Sequence, residues 1–144
     1  MSFLKDLKLS WAIPRCVRLW SKGEYTAAIK KINETREISP DSGSDVSFHL
    51  LLAKCYRGLN DLDRAWLEIN KAYVLESSTT RSNNLPFTVF LLEEFIYLQQ
   101  LQENPDNERL ISLQRELDEV NAAIGNKRKK SIIYTLKNIF TRKK

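Results

Sequence analysis

The sequence predicts an all-α protein, a short solenoid of antiparallel helix pairs, and three observations carry that expectation. Only four glycines and four prolines occur in 144 residues, too few for the tight turns of a β-sandwich. Ala, Leu, Lys, Glu, Arg and Ile fill long uninterrupted runs, and these are residues that favour helix. A shift of 37 residues brings the first quarter of the chain onto the second with its small and large positions in the same order. With 42% apolar and 28% charged residues the composition is that of an ordinary globular chain. Its length suits one domain with a real core.

The first helix pair is expected over residues 9–40. Ser10 can cap its opening helix, which leaves Pro14 near the first turn, where proline is least costly. Gly23-Glu24 supplies the turn. The second pair, 46–77, repeats this pattern. Cys16, Ala28 and Thr35 fall on Ala53, Ala65 and Ala72, all small, while Leu19, Tyr25, Ile29, Ile32 and Ile38 fall on Tyr56, Leu62, Trp66, Ile69 and Leu75. Gly23-Glu24 falls on Asn60-Asp61. Two antiparallel helices pack at a distance set by the side chains between them, so small residues allow close approach. Ala65 and Ala72 share one helical face with Ile69.

A third hairpin is expected over 84–125. Asn83 or Asn84 can cap a helix from Leu85-Pro86 to about Gln102. ENPDN then turns the chain, and Leu110, Leu113, Leu117, Val120 and Ile124 form the stripe of a second helix. No small-residue signature survives in this unit. Gly125 is placed as the C-cap. The polar stretches DSGSD and SSTTRSNN separate the units. A basic amphipathic helix over 127–144 closes the chain, with Ile132, Ile133, Leu136, Ile139 and Phe140 on one face.

Leu52-Ala53, Tyr56, Asn60-Asp61, Ala65, Ile69, Lys71-Ala72 and Leu75 in one unit resemble the tetratricopeptide repeat (TPR) family. Cys16, Leu19, Gly23-Glu24-Tyr25, Ala28, Ile32, Ile38 and Pro40 carry the resemblance in the other. It covers residues 9–77. Thr35 departs from the family's usual alanine, Ser77 from its closing proline, and Pro14 stands inside the first helix. The resemblance implies a concave groove lined by the first helix of each unit and used to bind peptides or protein segments. The family's binding positions map to Ile13, Val17 and Trp20, then to Leu50, Lys54 and Arg57. A carboxylate clamp used by part of the family is absent, because Ile13 and Val17 occupy its places.

Two further features bear on partners. LPFTVFLLEEFIYLQQL is apolar on all sides, which predicts a helix covered on all sides, or failing that a partner or dimer surface. Residues 127–144 hold eight Lys or Arg and no acid, so 1–126 carry 15 bases against 18 acids, a net −3, and the overall +5 belongs to the tail. The first reading of that tail is a cap over the last hydrophobic face, as the resemblance implies and end repeats require. An anionic membrane surface ranks second, an acidic protein third and nucleic acid last, since aromatics do not interleave with the bases. Lys127, Arg128, Lys129, Lys130 and Lys137 would make those contacts.

Catalysis finds no support. His49 is the one histidine, Cys16 and Cys55 stand at core-like positions, and phosphate-loop, nucleophile-elbow and metal-ligand spacings are missing. Glu93 and Glu94 point about 100° apart on a helix. No cofactor is expected. The two cysteines form no disulfide framework, no apolar run spans a membrane, and the N-terminus lacks a signal-peptide core. The expectation is therefore a protein-binding module, cytoplasmic or else membrane-peripheral: an adaptor, a dedicated chaperone or a toxin-neutralising immunity protein. The alternative is a protein that binds membrane or an acidic partner through its basic tail.

Overall fold

The computed structural model describes residues 3–38, 45–78 and 85–142. It is all-helical, with six helices and no strand among the described residues: α1 Phe3–Ser21, α2 Tyr25–Ile38, α3 Asp45–Gly58, α4 Leu62–Ser78, α5 Leu85–Gln100 and α6 Asn107–Arg142. Each helix packs on the next in the chain, and the odd-numbered helices also touch, α1 against α3 and α3 against α5. The proposed caps Asn83 and Asn84, together with Pro40 and most of the two polar linkers, lie outside the described residues.

The turns α1–α2 and α3–α4 are built from the same hydrogen bonds. Gly23 takes φ 78° and Asn60, 37 residues later, takes φ 60°, the left-handed conformation that ends a helix most cheaply with Gly or Asn. The Glu24 N–H donates to the Leu19 carbonyl at 2.9 Å and the Gly23 N–H to that of Trp20 at 3.0 Å. Asp61 and Asn60 donate to Tyr56 and Arg57, each at 2.9 Å. Both pairs form the Schellman ending, which satisfies carbonyls left over by the helix. Asp61 then opens α4, its side chain accepting the Arg64 N–H at 3.3 Å. The α5–α6 turn differs: Asp106 is the cap, accepting the Arg109 N–H at 3.1 Å.

The small residues stand where the helices meet. Cys16, Ala28, Ala53, Ala65, Ala72 and Thr35 are all buried, with Ile32 and Ile69 beside them. Thr35 satisfies its hydroxyl by donating to the Lys31 carbonyl at 2.7 Å, so the departure from alanine leaves no unmet polar group. One cluster joins α1, α2 and α3 around Phe48, Leu52 and Cys55. A larger one joins α3 to α6 around Leu91, Leu92, Phe95, Leu98 and Leu113. Tyr56 packs against both, so the two clusters form one continuous core. In the second cluster Phe95 tilts against Trp66 and Tyr73 at ring separations of 5.3 and 5.1 Å.

Four expectations need correction. The first helix begins at Phe3, so Ser10 is not its cap and Pro14 lies well inside it. Proline there removes the N–H that would bond the Ser10 carbonyl, a cost the helix bears within a packed unit. Gly125 does not end a helix: α6 runs unbroken from Asn107 to Arg142, so the third hairpin and the basic tail share one element. As far as residue 138 the tail does not cap the core, because residues 126–138 are exposed throughout. Finally, α5 is not covered on all sides. Leu91, Leu92, Phe95 and Leu98 are buried, but Phe90 and Tyr97 are exposed.

Candidate functional site

A groove of about 480 Å³ opens between the three odd-numbered helices. Helix α1 contributes Ile13, Val17 and Trp20, whose spacing of four and three keeps them on one face. From α3 come Ser47, Phe48, Leu50, Leu51 and Lys54, and from α5 Phe87 and Phe90. Phe48, Leu50 and Leu51 are buried and form the floor, while Val17 and Phe90 stand exposed at the rim. Phe90 leaves 56% of its surface in water. Volume and apolar lining are those of a site that takes ligand or peptide side chains.

One end of the groove is polar and organised by Glu94. This carboxylate is only 4% exposed and receives the Lys54 ammonium at 3.3 Å on Oε2. The Arg57 Nε donates to its Oε1 at 2.5 Å and Nη2 to Oε2 at 3.2 Å. Two cations on one buried carboxylate leave a net single positive charge at this end. Each cation also lies over an aromatic ring, Lys54 at 5.4 Å from Trp20 and Arg57 at 4.8 Å from Tyr97. The hydrogen bond to Glu94 raises the Arg57 pKa above its ordinary value, against the opposing effect of burial. Both side chains are therefore held in place and are not swinging surface charges.

Of the six positions that the TPR resemblance assigns to binding, Ile13, Val17, Trp20, Leu50 and Lys54 line the groove. Arg57 is held beside Lys54 through Glu94. Lys127, Arg128, Lys129, Lys130 and Lys137 are elsewhere, on the exposed C-terminal half of α6. Sequence reasoning passed over Glu94, treating it only as half of an adjacent pair. A signal was present: Glu94 follows Leu91 by three and precedes Leu98 by four. The stripe that buries those leucines buries the carboxylate too, and a buried carboxylate requires cations.

A second polar pair lies between α3 and α4. His49 is buried, and its Nδ1 is 2.5 Å from Glu68 Oε2. Burial pushes the Glu68 carboxyl up, but the bond from His49 and the charges of His49, Lys71 and Arg36 outweigh it, and the group sits below its usual range. The pair ties two core helices together. Cys16 and Cys55 are free and buried. Burial, followed by its neighbour Cys16, pushes the Cys55 thiol up to about 12, and burial raises Cys16 as well. Among the described residues no three His, Cys, Asp or Glu side chains come together as metal ligands, and no helix is long and apolar enough to cross a membrane.

Comparison of the chain with protein-family models, with curated proteins and with solved structures found no match. The resemblance to the TPR family is therefore carried by the residues quoted for it alone.

Proposed function

We propose that the chain is a short TPR-like α-solenoid that works without catalysis, by holding a segment of another protein in the groove between α1, α3 and α5. The observation that carries this reading is the groove itself, open and apolar at the positions the resemblance assigns to binding. Preformed helices supply the walls, so an occupant is bound with little ordering of the domain. Apolar side chains of the occupant would fill the space above Phe48 and Leu51, and the Lys54–Arg57–Glu94 cluster would fix direction at one end. An adaptor, a dedicated chaperone and an immunity protein all use such a device, and the groove serves each equally.

The test compares the full chain with Val17→Glu and Phe90→Lys, both at exposed rim positions, in pull-downs from native lysate. Circular dichroism should show unchanged helicity for each. A partner retained by the wild type and lost by both variants supports the groove. A partner captured equally well by all three proteins refutes it.

A further inference from the structure

The geometry points to the C-terminal half of α6 as a docking helix for an anionic lipid surface, separate from the groove. Helix α6 spans 36 residues, but only its first half is seated. Leu113, Leu117 and Val120 are buried against the core, with Ile124 packed beside them. Beyond residue 125 every side chain through 138 is exposed, including Ile132 at 59%, Ile133 at 53% and Leu136 at 47%.

These exposed apolar residues do not continue the seated stripe. At 100° per residue, the mean direction of Ile132, Ile133 and Leu136 is rotated by about 140° from that of Leu113, Leu117 and Val120. A further helix stacked on the core-facing side of α6 would leave them uncovered. They form a face of their own, and its flanks are basic. Arg128 and Lys130 fall on either side of it, and Lys129 opens it one turn before Ile132.

Charge complementarity selects the occupant. Residues 127–144 carry eight bases and no acid, so a second copy of this helix laid alongside would face like charge along its whole length. The groove is no better a host, since its polar end is itself net positive. An anionic bilayer matches both properties. Ile132, Ile133 and Leu136 enter the acyl boundary, and Lys and Arg stems reach outward to the headgroups. The rest of the chain, at −3, is repelled by the same surface and stays off it. From Ile124 to Arg142 the helix measures about 27 Å, enough to lie along the interface while the core stands clear.

The experiment is co-sedimentation of the full chain with vesicles of phosphatidylcholine and phosphatidylserine at about three to one, against phosphatidylcholine alone. Two variants at exposed positions accompany it: Ile132→Asp with Leu136→Asp, and Lys129→Gln with Lys130→Gln. Helicity in solution is checked for both. The expected result is binding at least about tenfold tighter to the anionic vesicles, reduced about tenfold or more by either double variant. Failure of the full chain to prefer anionic vesicles overturns the proposal. So does binding that the Ile132→Asp, Leu136→Asp variant retains, which would mark unspecific adsorption of charge. Capture of polyglutamate by a chain that ignores both vesicles would assign the helix to an acidic polypeptide instead.

Discussion

Replacement of Gly58 by alanine tests how α2 and α3 approach each other. A β-carbon at Gly58 would stand 2.4, 2.5 and 2.7 Å from Cζ, Cε2 and Cε1 of Tyr25, about 1 Å inside ordinary carbon–carbon contact. Tyr25 opens α2 and packs on the cluster shared by α1, α2 and α3. Its ring moves only as a rigid plate, so the clash displaces either that ring or the end of α3. Overpacking of this kind costs about 1–3 kcal/mol. Glycine inside a helix is worth about 0.5–1 kcal/mol less than alanine, which offsets part of the cost. The net expectation is a loss of about 1–2 kcal/mol, read as a lower urea midpoint at unchanged slope. Tyr25→Ala removes the clashing ring, and in that background Gly58→Ala should become neutral or stabilising. The cycle therefore predicts a coupling of about 2 kcal/mol. A Gly58→Ala protein as stable as the wild type, or a cost that survives removal of Tyr25, would refute the close approach.

Four further outcomes are expected. Glu94→Ala leaves Lys54 and Arg57 facing each other without their buried anion and should cost about 2–4 kcal/mol, measured by urea denaturation. Glu68 titrates below its ordinary value of 4.5, so its stabilisation is present above that pH and is lost as pH falls through the lowered folded-state value. Glu68→Gln should flatten the acid limb of the urea midpoint plotted against pH. Gly125 has nothing within 4 Å of where a β-carbon would stand and lies inside α6. Gly125→Ala should therefore stabilise by about 0.5–1 kcal/mol and add helicity, whereas a left-handed C-cap at this position would make the same change destabilising. Cys55, with its thiol pushed up to about 12 and no exposed surface, should resist a thiol-specific chromogenic disulfide in the native protein and react promptly in urea.

What local sequence could and could not reveal follows from the range of the interactions involved. Ala53, Ala65 and Ala72 announced their burial because helix packing at close range demands small residues at fixed spacing, and the demand recurs 37 residues apart. The positions on α1 and α3 that line the groove were named through the TPR resemblance alone, and spacing within the chain did not single them out. Gly125 was misread because glycine adopts left-handed and right-handed backbone with equal ease. Only the surrounding bonds decide between a cap and a continuing helix. Ser10 and Pro14 misled in a similar way: local preference favoured a start at Ser10, and the helix begins at Phe3 regardless. Glu94 eluded the reading because its partners are 37 and 40 residues away, on another helix.

The two polar surfaces of the molecule also constrain each other. Lys54 and Arg57 outweigh Glu94 at the end of the groove, and all the charges of residues 127–144 are basic. A ligand that bridged both would need acid at two separated places. A tail that folded back into the groove would place positive charge on positive charge. Helix α5 removes the need for either arrangement. Leu91, Phe95 and Leu98 belong to the core that also takes in Leu113, Leu117 and Val120 of α6, while Phe87 and Phe90 line the groove. One apolar helix thus serves two walls. Residues 126–138 of α6 run on beyond that contact, exposed, and the packing of the helix rests on Leu113, Leu117 and Val120 in its first half.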